Sequence, residues 1–191
     1  MARFVHLHGH TEYSLLDGLS KVPQLVKTVK DLGMEAVAMT DHGVMYGAIE
    51  FYKACIEAGI KPIIGVEMYV AKRSHLDKEG KIDGEPYHLT VLAKNYQGYL
   101  NLMKLTTIAH IEGYYYRPRV DKKLLKKHSE GLIALSGCPS GELIRTLQNG
   151  DLGKAEEVIK SYQEIFGEDN FYLELQSHPY QDSLDLAEDE A

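Results

Sequence analysis

Short apolar runs alternate with longer amphipathic stretches along most of this chain, and few architectures accommodate that order. Residues 4 to 8 set Phe4, His6 and His8 against Val5 and Leu7, the period-two pattern of a strand. A helix is predicted next. Ser20 is its cap, Pro23 lies in its first turn, Leu25, Val26, Val29 and Leu32 follow at helical spacing, and Gly33 stops it. A short buried strand over 35–40 leads to a second helix over 45–58, with Ile49, Tyr52, Cys55 and Ile56 on one face and Gly59 just beyond. The runs "KPIIGVEMYVA" and "YHLTVLA" read as strands joined by the polar connection "RSHLDKEGKIDGEP". Asn95 caps a helix over 95–111 that shows Tyr96, Tyr99, Leu100, Met103 and Thr107 on one side. After a basic helical turn come the strand "GLIALSGCP", helices over 140–148 and 152–166, and the strand "NFYLELQSH". This alternation implies parallel βαβ units, so the expected class is α/β, as a barrel or a doubly wound sheet.

A length of 191 residues suits one domain, placed over 1–180, with the acidic residues 181–191 expected to be a disordered or non-native tail. Apolar residues at 44% and charged residues at 26% are ordinary globular usage. No apolar run reaches the roughly 20 residues of a spanning helix, and "MARFVHLHGH" lacks the parts of a signal peptide, so a cytoplasmic location with no membrane partner is expected. Two distant cysteines, Cys55 and Cys138, make no disulfide framework. A net charge of −7 argues against binding nucleic acid through a broad field of the chain's own.

The chemistry lies in where the polar residues fall. His8, His10, Asp41, His42, Glu67, Cys138 and His178 all sit at or just past the C-terminal ends of predicted strands, where α/β folds build their sites. His88 starts its strand, which points to antiparallel pairing or a later start. Side chains at i and i+2 of a strand are about 6.5–7 Å apart on one face, so His8 and His10 can converge on one cation. Glu67 lies in an apolar strand, where an unpaired carboxylate is costly and calls for a cation. Imidazole with carboxylate suits Zn, Mn or Fe, and a Cys138 thiolate favours zinc or iron. Asp17 can add an oxygen from the following turn. His75, His110 and His128 read as surface or core residues, and Cys55 as core. "YYYRPRVDKKLLKKH" has two readings: Arg117, Arg119 and Tyr115 contact DNA or a partner, or the tyrosines pack beneath a solvated basic face.

Taken together, "FVHLHGHTEYSLLDG", "AMTDHGVMYGAIEFYKACIEAGIKPIIGVEMYVA", "HLTVLAKNYQGYLNLMKL", "GYYYRPRVD", "LIALSGCPSGEL" and "NFYLELQSH" resemble the PHP (polymerase and histidinol phosphatase) domain family, in the form found at the amino terminus of bacterial DNA polymerase III alpha subunits. The resemblance implies a distorted (β/α)7 TIM-like barrel with up to three divalent ions at its rim. It assigns metal ligation to His8, His10, Asp17, His42, Glu67, His88 and Cys138, with Asp17, His42 and Glu67 in catalysis and His6, Asp41 and His178 around them. The family's closing Asp-x-His pair finds no match before Ala191, so the barrel is expected to be incomplete and the cluster two ligands short. The implied activity is metal-dependent 3′→5′ exonuclease chemistry on the primer end of DNA, inside a replicative polymerase. Two alternatives stand beside it. One is a metal-stiffened domain that braces the polymerase and docks a proofreading exonuclease or the sliding clamp, and the other is a free-standing histidinol-phosphate phosphatase.

Overall fold

The computed structural model describes residues 4–15 and 17–176; His178 and the acidic tail lie outside them. Among the described residues, six strands form one mixed sheet: β1 (Ala36–Met39), β2 (Lys61–Val70), β3 (Tyr87–Ala93), β4 (Arg119–Val120), β5 (Leu132–Leu135) and β6 (Phe171–Tyr172). Their order is β1-β2-β3-β5-β6, with the short β4 paired to β2. Seven helices accompany them: α1 (Val22–Asp31), α2 (Ala48–Ala58), α3 (Gly80–Gly84), α4 (Tyr96–Ile111), α5 (Lys122–Lys127), α6 (Glu142–Gln148) and α7 (Leu152–Phe166). The α/β class holds. A closed barrel is not what the described residues form, because the sheet is open.

Parallel pairing is present at β1/β2, β2/β4 and β5/β6, but β3 runs antiparallel to both β2 and β5. The reversal has a local cause. Loop 71–86 is gathered around the Arg119 guanidinium, which donates to the carbonyls of His75, Asp77 and Asp83. The chain therefore returns beside the end of β2 that it has just left, with Tyr87 opposite Val70. The strand expected over 4–8 is instead an extended edge segment. The His6 carbonyl accepts from the Ala38 N–H at 2.8 Å and the Gly9 carbonyl from the Thr40 N–H at 2.9 Å, so it lies alongside β1.

Alternation along β2 sorts its two faces. Val66, Met68 and Val70 enter the larger core with Leu89, Val91, Leu102, Leu105, Val158 and Tyr162. Gly65, Glu67 and Tyr69 take the opposite face. A second core joins Val22, Val26 and Val29 of α1 to Val37, Met39 and Phe51. The buried sides of two helices differ from the sequence expectation. On α2 the core takes Ala48, Phe51 and Cys55, and on α4 it takes Leu102, Leu105 and Ala109. Ile49, Tyr52, Tyr96 and Tyr99 instead line an open apolar cleft of about 1190 Å³.

Candidate metal centre

Backbone pairing carries the site residues to one place. Past the end of β1, the Glu67 N–H donates to the Asp41 carbonyl and the Gly43 N–H to the Glu67 carbonyl, which sets His42 beside Glu67. Antiparallel β3 puts His88 next to Tyr69 and Thr90 opposite Glu67, so a histidine at the start of its strand still reaches this rim. The turn after β5 folds back on β3 through His88 N–H to the Ser140 carbonyl, and brings in Cys138.

The centre is Glu67, whose side chain is 1% exposed. Its Oε1 is 3.4 Å from His8 Nε2, 3.1 Å from His88 Nδ1 and 3.4 Å from Cys138 Sγ. Its Oε2 is 3.3 Å from His10 Nε2 and 2.7 Å from His42 Nδ1. That last pair is close but not in hydrogen-bond geometry, and neither atom has another hydrogen-bond partner among the described residues. Asp17 reaches His42 Nε2 from the solvent side at 2.8 Å, with its own side chain 54% exposed.

Burial alone would raise the Glu67 carboxyl, yet the surrounding histidines hold it far below the usual carboxylate range. Burial likewise opposes a charged His8, but hydrogen bonds to Glu174 and Glu67 raise it to about 9. His42 is raised in the same way by Glu67 and Asp17 against its burial. For Cys138, burial and then the Glu67 carboxylate push the thiol up to about 11. Positive charge is what this arrangement attracts. A cation among these atoms would take the place of the imidazole protons and favour the Cys138 thiolate. His8, His10 and Glu67 offer one set of donor atoms within 4.8 Å of one another, and His42, Glu67 and His88 a second, so Glu67 can bridge two ions. The donor set fits a borderline metal such as zinc.

Several expected residues fall elsewhere. His6 is exposed, with its ring edge-on to Phe4 at 4.8 Å, and takes no part in the cluster. Asp41, fully buried, accepts from the Thr11 N–H and hydroxyl and from Ser14, whose Oγ lies 3.1 Å from His10 Nδ1. Its hold on an imidazole is therefore one step removed. Arg119 is 0% exposed and spends its guanidinium on four backbone carbonyls, so as a DNA or partner contact it is corrected. Tyr115 packs over that guanidinium at 5.4 Å. Arg117 does remain exposed, lying 5.6 Å over Tyr69, which stacks on His42.

Four polar side chains of the site are absent from the sequence reading: Thr11, Ser14, Thr90 and Glu174. Glu174 Oε1 lies 2.7 Å from His8 Nδ1. A signal for it existed, because Glu174 between Leu173 and Leu175 is an acid in an apolar run, as Glu67 is in "PIIGVEMYV".

Fold and cluster together define an α/β domain with a histidine-rich candidate metal centre, and the PHP domain model matches residues 6–178, so the chain belongs to the PHP domain family. More particularly, it is similar to DNA polymerase III subunit alpha. It is 54% identical over 181 residues to that of Treponema pallidum, covering 93% of this chain and 16% of the relative. With that of Thermus aquaticus it is 48% identical over 180 residues, covering 92% and 15%. The chain thus spans about a sixth of these relatives' length. A solved protein from Bifidobacterium adolescentis, described as a candidate metal-dependent phosphoesterase, shares the fold with a TM-score of 0.52 at 14% identity, over 98% of this chain and 83% of that one.

Proposed function

We propose that this domain, over residues 1–180, binds divalent cations around Glu67 and cleaves phosphodiesters as a 3′→5′ exonuclease within a longer, cytoplasmic DNA polymerase III alpha chain. The observation that carries the reading is the buried Glu67 carboxylate, ringed by four imidazoles and a thiol. Such a carboxylate is sustained only by compensating positive charge. His8, His10, His42, His88 and Cys138 would hold the ions, with zinc favoured over manganese or iron by the nitrogen and sulfur donors and up to three ions as the family's full number. When bound, such ions supply Lewis-acid charge and lower the pKa of water. Asp17 and His42 form the solvent-facing side of the cluster and would meet the substrate. Arg117 lies over Tyr69, which stacks on His42, and would pair with a DNA phosphate.

A structural role, in which the ions brace the polymerase and the domain docks an exonuclease or clamp partner, is favoured by the net charge of −7. A free-standing phosphatase is disfavoured by the likeness to polymerase subunits over almost the whole chain. The deciding experiment is digestion of a 3′-labelled primer by the intact natural protein with zinc or manganese, native against Asp17→Asn. A fall on the order of 10²-fold is expected in the variant. Undiminished digestion would overturn the catalytic reading, and a native protein that binds metal without digesting would establish the structural one.

A further inference from the structure

We propose that Glu174 is a positioning residue for His8, holding the Nδ1–H so that Nε2, which faces Glu67, is the nitrogen left to a metal ion; this rests on the metal-centre reading above. His8 stands between two carboxylates, with Nδ1 2.7 Å from Glu174 Oε1 and Nε2 3.4 Å from Glu67 Oε1. A neutral imidazole has one N–H, and its placement decides which nitrogen can take a metal. Thr90 Oγ1, 3.1 Å from Nδ1, leaves that choice open, because a hydroxyl donates or accepts. An ionised carboxylate only accepts. Glu174 therefore requires the proton on Nδ1, which leaves Nε2 available on the Glu67 side. Without Glu174, Thr90 can donate to Nδ1 and the proton moves to Nε2, the tautomer that cannot ligate there.

The carboxylate is well anchored for this role. The Glu174 N–H donates to Ser136 Oγ at 2.9 Å, and the Ser136 N–H donates to the Tyr172 carbonyl at 2.9 Å, which continues the β5/β6 pairing to the site. Its side chain is 11% exposed, and its Oε2 has no hydrogen-bond partner among the described residues. The contact also spans the sheet. His8 belongs to the segment beside β1, while Glu174 follows β6 at the other edge, so the ligand's orientation depends on how far the sheet curls.

The test is zinc affinity of the full natural protein, by competition with a chromophoric chelator, together with the cobalt(II) absorption bands of each variant. Glu174→Ala is expected to weaken zinc binding about 10–100-fold, the usual effect of losing a carboxylate behind a ligating histidine. Glu174→Gln, whose amide oxygen still accepts from Nδ1, should lose less than about tenfold and keep the native cobalt bands. In a His8→Ala background Glu174→Ala should add nothing. Where the alanine variant does not fold, Glu174→Asp, which withdraws the oxygens by one methylene, is expected to lose affinity as well. Native affinity in both the Ala and Asp variants would overturn the proposal. So would a Gln variant as weak as Ala with altered cobalt bands, which would make Glu174 a ligand, or an undiminished effect without His8. A native protein that binds no zinc would instead remove the metal-centre reading itself.

Discussion

Arg117 and Arg119, two positions apart in "YRPRV", divide between surface and interior for a reason of backbone geometry. Tyr116 holds a left-handed conformation, φ +58°, and Tyr115 bridges to Arg117 across it, so β4 begins only at Arg119. The Arg119 guanidinium is then drawn inward, where four carbonyls take the place of water. Removing it takes this donor from the carbonyls of His75, Asp77 and Asp83, while the Gly113 carbonyl keeps the Arg119 N–H. Arg119→Ala is expected to destabilise by about 3–5 kcal/mol in urea unfolding, with Arg119→Lys between it and the parent, because lysine has fewer donors and no planar fork. Zinc affinity should stay unchanged in the lysine variant. No local pattern separates the two arginines, since both are cations in a tyrosine-rich run. Glu67, in contrast, was legible, because a lone acid among apolar strand residues has few explanations.

At the scale of elements, α4 shows why helix existence was readable and helix orientation was not. Its sequence carries apolar residues on both sides: Leu102, Leu105 and Ala109 meet the core, while Tyr96 and Tyr99 meet the cleft. Periodicity alone cannot rank two such stripes. A glycine settles the matter. A Cβ on Gly98 would lie 1.9 Å from the Gly131 carbonyl oxygen, so this side of the helix presses against the turn before β5. The Asn101 amide donates to the Glu130 carbonyl in the same seam. Gly98→Ala gains about 1 kcal/mol of helix propensity but meets backbone that must move, an overpacking cost of about 1–3 kcal/mol or more. The clash should win, and thermal unfolding should show a net loss. Gly153→Ala is the control, with nothing nearer than 3.8 Å to its added carbon, and should gain about 0.5–1 kcal/mol.

Across the whole molecule, the cluster collects side chains from the segment beside β1, the turn after β1, β2, β3 and the turn after β5, and Glu174 ties it to the edge beyond β6. Strand order along the sequence predicts an α/β sheet but not its curl, which depends on where loop 71–86 returns the chain. The two edges meet at His8 and Glu174, beside the apolar cleft. Protons and a metal ion compete for the same imidazoles, so the protein without metal retains charge balance through imidazolium while losing the link that fixes each ring. Removing metal should therefore loosen both edges together rather than the cores, which are apolar and independent of it. Hydrogen exchange of the full natural protein checks this. Zinc at about 100 times its Kd should slow exchange in residues 4–15 and 171–176 by up to about a hundredfold, the mass-action limit for openings that release the ion. Chelation should reverse the effect, Glu67→Gln should abolish it, and amides of β2 within the larger core should change far less. Slowing near β2 alone, with the 171–176 edge unmoved, would show that the metal centre does not join the two edges of the sheet.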